Sequence, residues 1–435
     1  MPQVIEPSAV APERARFGLT RVEVRGFRTA RAVAFSPGQM CALVGEANAG
    51  KSNLLAAIRA LLEPDAAPIR PDDVAAGGDG TVSVRAELAS GAALSLEGSP
   101  PALRRTAPAD LPPLLFLPAT ARADALLARP ESGGAEANKA LDLFRAALGE
   151  QPGAAGGGSA TAPALSVVTA LERCCAFRVR GVVLLIEEPE LYLRPQAQRY
   201  LYRLLREFAL AGNQVIYSTH APAFLNVARL DELVFVEREP GQGTRTLQHE
   251  PVTPEEDFRL LTEFDAERSE LFLARAALLV EGQTEKLVLP FVFRALGHDA
   301  DREAISIVEC GGKSGIPFFA RICRTVGVPS VAVHDRDAPR GRAPIQAERA
   351  LNDLIAEVAG PERTIVLEPD FEAVTGLAGH SHKPERAWRR FATLSAPEMP
   401  EPLVRAIELA VSLAERAEPE GTGARGSTET AGSSG

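Results

Sequence analysis

Two groups of residues in this sequence have the types and spacing for phosphate chemistry. The first begins at Gly45-Glu-Ala-Asn-Ala-Gly50-Lys51-Ser52, which fits the pattern G-x4-G-K-[ST]. The apolar run CALVG before it reads as a strand and SNLLAAIRALL after it as a helix, which is the context that pattern requires. Backbone N–H groups of such a loop cradle phosphates, Lys51 neutralises the β and γ oxygens, and the Ser52 hydroxyl joins a Mg²⁺ shell. Farther along, Leu184-Leu-Ile-Glu187-Glu188-Pro-Glu190 carries a buried run straight into carboxylates. Glu187 suits Mg²⁺, and Glu188 suits polarisation of an attacking water. Tyr217-Ser-Thr-His220 ends another apolar strand, placing His220 where it senses a γ-phosphate.

In the second group, Val280-Glu281-Gly282-x-Thr284-Glu285 follows an apolar strand and opens a helix, and His334-Asp335-Arg336-Asp337 ends a later strand. Acids at neighbouring strand ends converge at the C-terminal edge of a parallel sheet, where ligands of open α/β sheets bind. Their hard oxygens suit Mg²⁺ or Mn²⁺ rather than Zn²⁺. Glu285 also reads as a helix-capping or solvated acid. Cys310-Gly311-Gly312-Lys313 follows a strand as well, either as a plain turn or as backbone that approaches a phosphate.

The elements that must position these groups follow from hydrophobic patterning. Residues 1–16 read as a disordered leader. An ATPase domain is expected over 17–250, with a short helical subdomain at about 122–180, and a charged helical connector over 251–271. Strand–helix alternation over 272–415 predicts a parallel sheet with crossover helices, followed by a disordered tail at 416–435. The fold class is α/β throughout.

With 435 residues the chain can bury more than one core. Its five cysteines lack metal-ligand spacing and read as reduced core residues. A formal net charge of −10 excludes a generally basic coat for nucleic acid but leaves room for a local basic surface. No apolar run has membrane-spanning length, and the N-terminus lacks a signal pattern, so a cytoplasmic location without a membrane partner is expected. Only five of the 47 basic residues are Lys: 51, 139, 286, 313 and 383. Lys retained in so Arg-rich a chain marks places that need a compact ammonium.

The order strand–GxNxGKSN–helix, a Gly/Ser-rich segment, hhhhEEPE and STHAP resembles the ABC-type ATPases of the RecF, SMC and OLD group. That resemblance puts Gly45, Asn48, Gly50, Lys51, Ser52 and Asn53 at ATP. It also implies a homodimer in which two heads sandwich the nucleotide. Gly158 and Ser159 would supply the facing signature, although Gly156–Ser159 departs from Ser-Gly-Gly-Gln and also reads as a flexible linker. VEGxTE with Asp-x-Asp resembles the Toprim domain, and an ATPase head fused to Toprim is the OLD arrangement. The fold this implies is an ABC/RecF-like P-loop ATPase domain followed by a Rossmann-like Toprim parallel-sheet domain.

By that resemblance Glu281, Glu285, Asp335 and Asp337 are metal-linked acids. Glu372, with Asp370 as the near alternative, adds a further ligand from LEPDFE, and Ser381-His-Lys383-Pro carries the catalytic Lys383. The function implied is an ATP-hydrolysing, divalent-metal-dependent DNA endonuclease. OLD-like proteins are associated with phage defence and DNA repair, often beside a helicase partner. The competing reading is an ATP-switched DNA-binding or repair module whose Toprim half does not cut. A Toprim topoisomerase needs a nucleophilic Tyr, and all four Tyr lie in the ATPase half. An SMC-type structural ATPase needs coiled-coil arms, which the sequence lacks.

Overall fold

The computed structural model describes residues 17–65, 67–119, 138–140, 142–143, 146–147, 161–191, 193–225, 229–239, 241–248, 268–337, 345–377 and 383–417. They form two compact units, one made mainly of residues 1–238 and 242–273, the other of 274–324 and 328–435.

The first unit contains two sheets. Strands β1 (Leu19–Phe27), β2 (Ala30–Phe35), β4 (Val82–Leu88), β5 (Ala93–Ser99) and β6 (Ala102–Thr106) form an antiparallel sheet in the order β2-β1-β4-β5-β6. Burial alternates along β1 and β4, as expected when one face packs and the other is wet. The second sheet has the order β11-β10-β3-β9-β8-β7, from β3 (Met40–Val44), β7 (Leu114–Leu117), β8 (Val183–Glu187), β9 (Gln214–Thr219), β10 (Leu233–Glu239) and β11 (Gly243–Gln248). Its strands from β10 to β7 are parallel. β3 and β9 are buried at every position, which explains the unbroken apolar sequence of β3 and the apolar centre of β9 between its polar ends.

Helix α1 (Lys51–Leu62) packs its apolar face into the core between these sheets. Helix α2 (Thr161–Ala176) precedes β8, and α3 (Pro195–Leu210), which begins with a proline at its first turn, returns the chain to β9. Buried Gln214 ties the sheets together: its amide accepts from Leu19 N at 2.7 Å and donates to Leu19 O at 2.7 Å.

The second unit has one parallel four-stranded sheet, ordered β13-β12-β14-β15. Its strands are β12 (Ala276–Val280), β13 (Ile305–Glu309), β14 (Ser330–Asp335) and β15 (Thr364–Leu367). Helices α4 (Gln283–Ala295), α5 (Ile316–Val326), α6 (Gln346–Ala359), α7 (Phe371–Thr375), α8 (Lys383–Phe391) and α9 (Glu401–Ala417) complete it. β12 is wholly buried, and α4, α8 and α9 contribute to its core. Among the described residues no helix is long and apolar enough to cross a membrane.

Candidate active sites

Because β3, β9 and β8 run parallel in that order, their C-terminal ends bring the loop 45–50, His220 and Glu187 to one edge. Gly50 has φ of 115°, and a Cβ there would lie 2.2 Å from Thr244 Oγ1, so only glycine turns the loop into α1. Lys51 opens the helix and is 5% exposed; its Nζ donates to Gly45 O and Glu46 O, both at 2.8 Å. Burial lowers its pKa to about 8 despite the opposing charges of Glu188, Glu190 and Glu46.

The His220 ring lies between the two chemically active neighbours. Its Nδ1 is 3.5 Å from Lys51 Nζ and its Nε2 is 3.2 Å from Glu188 Oε1. Glu187 accepts from Ala119 N at 3.3 Å and hydrogen-bonds the Ser52 side chain. Burial, together with the neighbouring Glu188, raises the pKa of Glu187. The pairing of Glu187 with Ser52 at a strand end is the donor set expected for Mg²⁺ beside a nucleotide.

Glu190 belongs to the acidic motif, yet its role was not read from the sequence. It is 9% exposed, and its Oε1 accepts from Thr219 Oγ1 at 2.9 Å and from the His220 backbone N–H at 2.7 Å. The turn after β8 is thereby locked to the end of β9. Asn53 points elsewhere: its amide donates to Thr29 Oγ1 at 2.8 Å and accepts from Arg28 at 3.2 Å, so it braces the β1–β2 turn. Asn48 sits in the loop with φ of 63°. Gly158 and Ser159 lie outside the described residues.

In the second unit, the parallel strands β12 and β14 are direct neighbours; Glu281 follows β12 and Asp335 ends β14. Glu281 Oε1 accepts from Asp335 N at 2.7 Å, and Asp335 Oδ1 accepts from Phe371 N at 2.8 Å. Burial raises the Asp335 pKa to about 8, and the charges of Glu281, Glu285 and Asp337 push the same way. Glu281 is likewise pushed up by burial to about 7. Glu285, on the first turn of α4, is 6% exposed, so it is not a solvated surface acid.

Lys383, at the start of α8, contacts Glu372 Oε1 at 2.6 Å and lies 5.3 Å from the Phe371 ring centroid. Burial acts to lower its pKa, but the Glu372 hydrogen bond and the charges of Glu285 and Asp335 leave it raised. Asp370 is used otherwise: it caps α7, accepting from Ala373 N at 2.7 Å. Between the two acids quoted from that segment, Glu372 faces Lys383. Lys313 is neither solvated nor open to a phosphate; it is buried between Asp337 and Glu348.

The acids at this edge do not form a closed cage. Among the described residues no three His, Cys, Asp or Glu side chains converge as a ready-made metal group. The reason is visible in the pairing: Glu281 and Asp335 each spend an oxygen on a backbone N–H, while Glu372 and Asp337 face lysines. Even so, the donor set fits a hard divalent cation, because buried carboxylates that raise one another's pKa gain most from a shared positive charge.

The two units are thus a P-loop ATPase domain followed by a Toprim-type α/β domain. Comparison with known families bears this out. The family described as overcoming lysogenization defect protein-like, TOPRIM domain, matches residues 272–337. The AAA ATPase domain matches residues 157–225, and a protein family of unknown function matches 17–71, the segment holding the P-loop.

The chain therefore carries an OLD-like Toprim domain together with an AAA-type ATPase domain, and its curated relatives include two OLD nucleases. It is 36% identical to the OLD nuclease of Thermus scotoductus over 258 residues, 53% of this chain and 49% of that protein. It is 29% identical to the Old nuclease of Escherichia phage P2 over 164 residues, 36% of this chain and 28% of that one. The chain spans about half or less of the length of these relatives. The SMC head domain from Thermotoga maritima aligns with 54% of this chain and 99% of its own, at 16% identity and a TM-score of 0.37.

Proposed function

We propose that this chain is an ATP-hydrolysing, divalent-metal-dependent DNA endonuclease of the OLD type. The observation that carries the reading is the mutually repelling set of buried Glu285, half-buried Glu281 and Asp335, and Asp337 at one strand edge, with the Glu372–Lys383 pair beside it. A divalent cation held by Glu281, Glu285, Asp335, Asp337 and Glu372 supplies Lewis-acid activation of water and charge neutralisation at a phosphodiester. Lys383 offers a point charge to the oxygen that gains negative charge as the bond breaks. Arg389 and Arg390, exposed on the same helix as Lys383, offer a local basic surface to the sugar-phosphate backbone.

In the ATPase domain, Lys51 binds the terminal phosphates, Ser52 and Glu187 hold Mg²⁺, and Glu188 polarises the attacking water. His220 couples Lys51 to Glu188, so one side chain registers both phosphate and base. Pairing of two heads into a homodimer would complete each site. A helicase partner and a role in phage defence or DNA repair accompany the same reading.

Incubation of supercoiled plasmid with Mg²⁺ or Mn²⁺ tests the nuclease. The wild type is expected to nick or linearise it and Asp335→Ala is not. Metal-dependent cleavage absent from the wild type would leave the ATP-switched, non-cutting DNA-binding module as the function.

A separate expectation concerns Glu190. Its replacement by Ala leaves Thr219 and the His220 N–H without their acceptor, a loss of about 1–3 kcal/mol of local order. ATP turnover should drop roughly tenfold with nucleotide affinity nearly unchanged, and Glu190→Gln, which keeps the acceptor, should recover most of it. Phosphate release measured beside calorimetric nucleotide binding distinguishes the two variants.

A further inference from the structure

Lys313 is a deeply buried ion-pairing group of the second unit, with a side-chain exposure of 6%. Its Nζ lies 3.0 Å from Asp337 Oδ2 and 3.2 Å from Glu348 Oε2, joining the loop after β13, the turn after β14 and helix α6. The same loop is tied to the other acidic strand end, since Gly312 donates its N–H to Glu281 O at 2.7 Å. Gly312 has φ of 109°, a conformation that aims the following lysine inward at little cost only for glycine.

The turn that Lys313 grips is itself strained. Asp337 has φ of 56°, in the left-handed region that a non-glycine residue holds only when its surroundings fix it. Two residues one turn apart on α6 supply that support. Glu348 acts through Lys313, and Asn352 donates its amide to Arg336 O at 3.2 Å. Lys suits this place better than Arg because a compact ammonium fits between two carboxylates, whereas a guanidinium fork is larger and planar.

We propose that Lys313 is a positioning residue: it holds Asp337 and, through the Gly312–Glu281 bond, sets the spacing of the two acidic strand ends. This rests on the reading of those acids as a divalent-metal centre. Lys313 touches no substrate in this role; it acts through Asp337. Groups that orient metal-binding side chains from behind are worth about 10- to 100-fold in metal affinity.

The Coulomb term predicts the opposite sign, which makes the proposal testable. Removal of a cation beside a metal centre raises metal affinity on charge alone, whereas loss of geometry lowers it. Mn²⁺ binding by the full chain, without nucleotide or nucleic acid, is measured by titration calorimetry and electron paramagnetic resonance. Asp335→Asn identifies which binding belongs to this centre. Lys313→Met is expected to weaken that binding at least tenfold. Lys313→Met/Glu348→Gln, which restores the net charge and removes the half-buried acid left without its cation, is expected to fold even if the single variant does not, and to stay at least tenfold weak.

Affinity within threefold of wild type in the double variant, or higher affinity in Lys313→Met, would overturn the positioning role and leave Lys313 as a counter-charge. Wild-type protein that binds no Mn²⁺ in an Asp335-dependent way would remove the metal-centre reading, and the proposal with it.

Discussion

Lys51→Ala is expected to abolish ATP turnover, lowering the rate by roughly 10³-fold, the scale of a lost preorganised donor at developing phosphate charge. Alanine is the best helix former, so α1 still begins at this position and the fold survives. What disappears is a buried ammonium that the loop holds through Gly45 O and Glu46 O. A bound phosphate would draw that ammonium away from the two carbonyls, and without the cation the loop offers the phosphate no side-chain donor at this point. Lys51→Arg should fail nearly as badly, because the loop receives a single charge point and has no room for a fork. At neutral pH Lys51 is cationic, but its pKa of about 8 means that the free protein loses this charge as pH rises above that value. Affinity for ATP should therefore weaken on the alkaline side in the wild type and be flat there in Lys51→Ala. Phosphate release and nucleotide titration across pH check both statements. Normal turnover by Lys51→Ala would mean that the P-loop assignment is wrong.

How far the sequence could be read depended on whether a feature is local. The P-loop was legible because one short segment contains its glycines, its cation and the flanking strand and helix. The parallel strands β3, β8, β9, β12 and β14 were legible because burial on both faces leaves uninterrupted apolar runs. Long-range pairing was not legible. The partners of Lys313 lie 24 and 35 residues onward in the chain, so a turn and a phosphate-facing loop looked equally fitting. Glu190 belongs to a readable motif, but the donors it accepts from lie at the end of the next strand, and only the sheet order β9-β8 brings them together. Asn53 fits the family pattern and nevertheless braces Thr29, because α1 turns that side chain toward β1–β2. The choice between Asp370 and Glu372 is written in the local sequence. Asp followed by Phe-Glu-Ala is an N-cap signature, and a carboxylate spent on capping is poorly placed for other work.

Asp335→Asn is expected to eliminate cleavage while making the metal-free protein more stable. The amide oxygen can still accept from Phe371 N, so the geometry of the turn is kept. What is removed is a half-buried charge beside Glu281, Glu285 and Asp337. In the unfolded chain an Asp or Glu protonates near pH 4, whereas folded Asp335 holds its proton to about pH 8 and Glu281 to about pH 7. The folded state therefore binds more protons across that window, and stability in chelator falls as pH rises from about 4 to about 8. Below pH 4 both states are protonated and the difference vanishes; above pH 8 the loss has levelled off. Asn has no proton to lose, so its variant should show a shallower decline and, near pH 8, a melting temperature higher by roughly 5 °C, corresponding to about 2 kcal/mol once screening by solvent is allowed for. Mn²⁺ should reverse the order by stabilising the wild type and leaving Asp335→Asn almost unmoved. Thermal melts at pH 5 and pH 8, with chelator and with Mn²⁺, check each point. A variant less stable than wild type in chelator at pH 8 would show that Asp335 serves the fold rather than a charge held in waiting for a cation.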